Sequence, residues 1–194
     1  MTRLLWWRKP AKKAPVRRGK GQPTRRASTP AAERYESLTR EMLSRHHVRV
    51  RKWRTSMSGV AWQTESPSGA IGRWIEAPRP KGPMSAAVFL HEIGHHAIGF
   101  KRYRPRCLEE YHAWLWSLGA MGETGVKITE RVEQRVHMSL HYAVDKARRR
   151  GLKRLPAELA PFVEPPQRSG GSEAARRMAT QAAAARTASR SSES

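Results

Sequence analysis

Ser85-Ala86-Ala87-Val88-Phe89-Leu90-His91-Glu92-Ile93-Gly94-His95-His96-Ala97-Ile98-Gly99-Phe100 is apolar apart from its serine, its histidines and its one glutamate. The preceding Pro78-Arg79-Pro80-Lys81-Gly82-Pro83 breaks the chain, so Ser85 is expected to cap a helix running to residue 100. A helix with so little polar surface belongs in the interior. Ionisable groups buried there are costly unless a metal or a partner compensates them.

Within this helix His91-Glu92-Ile93-Gly94-His95 has the form H-E-x-x-H. Histidines four apart stack on one helix face with Cβ atoms about 6 Å apart, which lets both imidazoles reach one zinc ion at about 2.0–2.1 Å. Glu92 follows the first of them, placed to take a proton from a metal-activated water without occupying a coordination position. His91 and His95 are therefore the expected metal ligands and Glu92 the expected general base. His96 is turned about 100° away and is left out of the ligand set.

Such a site needs a third protein ligand, and the next helix, expected over about 108–118, carries Leu108-Glu109-Glu110-Tyr111-His112-Ala113-Trp114. Glu110 is the expected ligand, fifteen residues beyond His95, which leaves room for a turn and an incoming helix. Glu109 and His112 stay open as alternatives, because one residue of register at the helix start turns either of them inward. Gly119, Gly122 and Gly125 are expected to end this helix.

Ahead of the motif, Thr29-Pro30 offers a capping hydroxyl and a proline for the first turn of a helix, with Tyr35, Leu38 and Met42 at helical spacing. Residues 48–53, 60–64 and 71–76 form short β-type runs separated by Ser, Gly and Pro, read as two or three antiparallel strands. Behind the motif, Thr129 caps a long helix to about residue 150 with Val132, Val136, Leu140 and Val144 facing inward. The fold class is α+β: a small sheet with the active-site helix and two or three more.

His141 and Tyr142 on that long helix are candidates to stabilise an oxyanion by residue type alone. His137 and His141 are also four apart, but no glutamate follows His137 and the helix is well charged, so a solvated face is expected. Cys107, the only cysteine, excludes an internal disulfide and any multi-cysteine zinc cluster, and reads as a small buried hydrophobe.

The formal net charge is +22 over 194 residues, and ten Lys or Arg with no Asp or Glu fall within residues 1–30. Residues 1–28 read as a disordered basic arm able to bind the phosphates of nucleic acid or acidic lipid, with Trp6 and Trp7 free to stack on bases. The domain is expected over 29–155 and a mostly disordered tail over 156–194, which is rich in Ser, Gly, Ala and Arg. The apolar run at the start is too short for a signal segment or a membrane span, so a cytoplasmic protein is expected.

His91-Glu92-Ile93-Gly94-His95 followed by Glu109-Glu110-Tyr111-His112-Ala113-Trp114 resembles the metallopeptidase domains of the ImmA/IrrE type. It is similar also to small H-E-x-x-H proteins carried by phages and other mobile elements. The resemblance spans about 60–144, and only its metal motif is specific. It implies a gluzincin-like zinc peptidase with a small sheet ahead of the active-site helix, acting on a protein or peptide substrate; better-known members cleave a repressor. His112 departs from it, standing where such domains often carry a second acidic residue. The alternative reading is a nucleic-acid-associated mobile-element protein with a structural or vestigial zinc site.

Overall fold

A computed structural model describes residues 29–167 and 169–191. The basic arm, with Trp6 and Trp7, lies outside the described residues. The first helix, α1 (Pro30–Arg45), starts where Thr29 Oγ1 accepts the Ala32 N–H at 3.2 Å, and it buries Leu38 and Met42. Three strands follow: β1 (Val48–Arg54), β2 (Val60–Glu65) and β3 (Ile71–Pro78).

The sheet order is β1-β3-β2. β2 and β3 form the expected antiparallel pair, with Trp62 opposite Trp74, but β1 runs parallel to β3, so the sheet is mixed rather than wholly antiparallel. Alternation of side chains has a period of two whichever way a neighbour runs, so the pattern of residues 48–54 carries no information on direction. Burial explains the order: β3 contributes Ile75 and Ala77 to the core and takes the centre, while the more exposed β1 and β2 take the edges.

Under the sheet lies α2 (Pro83–Ile98), buried continuously from Ser85 to His96. It begins three residues before the expected start, with Gly82 rather than Ser85 at the cap. Ser85 is not its cap: its Oγ accepts the backbone N–H groups of Lys81 and Gly82, at 2.9 and 3.2 Å, reaching back over the first turn. Beside it α3 (Arg106–Glu123) runs through Gly119 and Gly122, and the chain turns only near Gly125 (φ 66°). Gly94 permits close contact, because a Cβ there would come within 2.7 Å of the Ala113 carbonyl oxygen. Ser117 Oγ fastens the pair by donating to the Ala87 carbonyl at 2.9 Å.

Helix α4 (Glu130–Arg149) is capped by Thr129 and buries Val132, Val136, Leu140 and Val144 as expected. Within 156–194, where a mostly disordered tail is expected, the described residues include two helical segments. A 3-10 helix (Ala157–Phe162) and α5 (Glu173–Ser191) follow, and Leu159, Phe162, Ala175 and Met178 belong to the same core as α1–α4. Ala175, Met178 and Ala182 recur at helical spacing, a narrow stripe of small and flexible side chains. No helix among the described residues is long and apolar enough to cross a membrane.

Candidate metal centre

Two imidazole nitrogens converge on one carboxylate oxygen. His91 Nε2 lies 3.3 Å and His95 Nε2 3.5 Å from Glu110 Oε2. α2 presents the two rings one turn apart, and α3 brings Glu110 against them through the close contact at Gly94. The three ligand atoms all lie within 4.8 Å of one another, and His91, His95 and Glu110 are a group able to hold a metal ion. Atoms bound tetrahedrally to zinc at about 2.0–2.2 Å stand roughly 3.3–3.5 Å apart, so the spacing and the N, N, O donor set both fit.

Surrounding residues fix this arrangement. The His91 ring stacks on Trp114, centroids 4.1 Å apart, and the His95 ring lies parallel to Phe100 at 6.0 Å. His95 Nδ1 faces Glu109 Oε1 at 3.6 Å, and Glu109 Oε2 accepts the Lys101 N–H at 2.9 Å. Arg106 spans both acids: Nε donates to Glu110 Oε1 at 3.0 Å and Nη1 lies 3.1 Å from Glu109 Oε1. Of the three residues weighed for the third position, Glu110 reaches both histidines, Glu109 stands behind His95, and His112 stacks on Tyr103 at 3.7 Å. His96 binds the Trp74 carbonyl through Nε2 at 3.0 Å, tying α2 to β3 as an ordinary core histidine does.

Electrostatics follow from burial and pairing. Burial holds His91 down to about 4 against the pull of Glu110. His95 is raised to about 9, since Glu109 and Glu110 outweigh the burial that opposes its charging. Burial likewise opposes charging of Glu110, yet His91 and His95 hold its carboxyl well below the usual range. Glu92 is pushed up to about 7 by burial.

Glu92 lies on a cleft of about 1030 Å³, together with His91, His95, Glu110 and Cys107. Its carboxyl packs on Gly59, where a Cβ would meet Glu92 Cγ at 2.5 Å. The start of β2, an edge strand, forms one wall of this cleft and α4 forms the other.

Neither histidine of the long helix belongs to the site. His137, expected on a solvated face, is buried; its Nδ1 lies 2.6 Å from Ser172 Oγ and its Nε2 2.9 Å from the Glu164 carbonyl. His141 faces the Phe162 carbonyl at 3.2 Å, whereas Tyr142 does line the cleft. Both histidines pin the segment that follows α4. Arg135 is the residue that sequence reasoning missed. It lines the cleft, donates from Nη2 to the Met57 carbonyl at 2.9 Å, and keeps a buried Nε with no hydrogen-bond partner. One arginine among many carries no local mark; only the packing of α4 on the site singles it out.

No protein-family model, curated protein or solved structure matches this chain. The resemblance to ImmA/IrrE-type domains rests on the motif residues alone.

Proposed function

We infer that the chain is a zinc-dependent hydrolase that cuts peptide bonds, with His91, His95 and Glu110 as ligands and Glu92 as general base. The observation that carries this reading is the meeting of His91 Nε2 and His95 Nε2 at Glu110 Oε2 on the floor of an open cleft, with Glu92 beside them. When bound, zinc supplies a Lewis acid that polarises a carbonyl and lowers the pKa of water towards about 7. Glu92 takes the proton of the attacking water and returns it to the leaving amine. Glu109 and Trp114 hold the two imidazoles in position from behind. Among the described residues lining the cleft, Arg135 is suited to a developing negative charge, since its buried Nε has no partner.

Two features favour catalysis over a structural role. A structural zinc site is normally closed by four protein ligands, and among the described residues three come together here, open to the cleft. The free edge of β2 along the cleft also offers backbone donors and acceptors to an extended peptide. A small sheet ahead of the helix that carries the motif is also what the resemblance to ImmA/IrrE-type peptidases implies.

The test is cleavage of a proteome-derived peptide mixture by zinc-reconstituted protein, read by mass spectrometry. Glu92→Gln is expected to keep the fold and the zinc content while lowering cleavage by at least about 100-fold. Undiminished cleavage would end the assignment of Glu92, and loss of zinc would make it a ligand instead.

A further inference from the structure

The cleft has a chemical character of its own beyond the metal centre. Five large apolar side chains are exposed among the described residues, and three of them, Val60, Met138 and Tyr142, line this cleft. A fourth, Met57, sits at its edge, its carbonyl taking the hydrogen bond from Arg135. Further along, the lining includes Lys146 of α4 and Arg150 just past its end. On the same helix Arg149 is paired with Asp145 at 3.2 Å, but among the described residues neither Lys146 nor Arg150 has a carboxylate in ion-pair range. Lys146 Nζ instead stands 5.8 Å from the Tyr142 ring. Among the described residues, the only acidic side chains lining the cleft are Glu92 and Glu110 of the metal centre itself.

Resting on the hydrolase reading, we propose that the cleft selects an extended peptide segment with a large apolar side chain near the scissile bond and acidic residues farther along. Spacing along α4 sets the pattern. Arg135, which lines the cleft together with His91 and Glu92, marks the catalytic end. With a rise of 1.5 Å per residue in the helix and about 3.3 Å in an extended chain, Met138 and Tyr142 lie roughly one to three peptide residues from that end. By the same conversion Lys146 and Arg150 lie roughly five to seven peptide residues away. Unpaired cations along a walled cleft attract the acidic end, and the apolar side chains between them hold the middle. A single-stranded nucleic acid fits less well: such grooves alternate cations with several aromatic platforms, and here Val60 and Met138 flank one exposed tyrosine.

The experiment measures binding of fluorescent, end-blocked peptides of about fourteen residues to the full-length zinc-loaded Glu92→Gln protein. The peptides carry Leu and paired Glu at those distances on either side of a central bond, with matching versions in which Lys replaces Glu. The acidic version is expected to bind at least about tenfold more tightly than the Lys version, and Lys146→Glu with Arg150→Glu is expected to abolish or invert that preference. Arg131→Glu with Arg148→Glu changes the net charge equally on the same helix outside the cleft, and is expected to leave the preference in place. Equal binding of both peptides, or equal loss in the two double variants, overturns the proposal. So does an oligothymidylate whose binding is lost only when Lys146 and Arg150 are reversed. Selective binding without cleavage by the zinc-loaded wild type would sink the hydrolase reading while leaving the cleft's preference established.

Discussion

Glu109 and Glu110 are adjacent on α3 and differ in what they touch. Glu110 Oε2 meets both imidazoles, while Glu109 is almost wholly buried and holds His95 from behind. Removing a group that only orients a ligand weakens metal binding less than removing the ligand. Glu109→Ala is therefore expected to weaken zinc binding by about 10–100-fold, and Glu110→Ala by more, measured by competition with a chelator. The opposite order would make Glu109 the ligand. The sequence left this choice open because the helix start decides which acid turns inward, and α3 begins at Arg106, earlier than its apolar residues suggest. His91, Glu92 and His95 were legible because one helical turn is a local rule. Trp114 and Phe100 against the imidazoles were not, and neither were Gly59 against Glu92 or Arg135 in the cleft. Those contacts exist only after distant segments pack.

At the scale of elements, two helical glycines are expected to respond in opposite directions. Gly94 faces the backbone of α3, so Gly94→Ala forces α2 and α3 apart and is expected to cost about 1–3 kcal/mol. Gly122 is exposed near the end of α3 with nothing within 4 Å of an added Cβ, so Gly122→Ala is expected to stabilise by about 0.5–1 kcal/mol. Thermal unfolding of the two variants checks both signs, and a tolerated Gly94→Ala would mean the helices are not in tight contact. Element type was readable wherever local periodicity was strong: α1, α4 and all three strands fall close to the expected ranges. Strand direction was not, since it is a property of the pair. The helix α5 was hidden by its composition. Repeated Ala and Arg look like low complexity, and the stripe of Ala175, Met178 and Ala182 acquires meaning only against α3 and α4.

At the scale of the whole molecule the excess positive charge is divided. Part of it lies in residues 1–28, outside the described residues, and part lines the cleft through Arg135, Lys146 and Arg150. These two sets are expected to act independently. Deleting residues 1–27 is expected to abolish salt-sensitive retention on DNA or RNA without changing zinc content; retention that survives the deletion at low salt would remove the arm from any nucleic-acid role. Within the fold, α2 and α3 supply the candidate metal centre, and β2 and α4 supply walls of the cleft that it opens to.

All of this depends on a divalent cation held where α2 meets α3. The most direct measurement is the zinc content of purified, zinc-reconstituted protein, wild type against His95→Ala, with folding checked by circular dichroism. About one zinc per wild-type chain is expected, with most of it lost from a folded His95→Ala protein. A wild type that retains no zinc, or a His95→Ala protein that retains as much, would contradict the account.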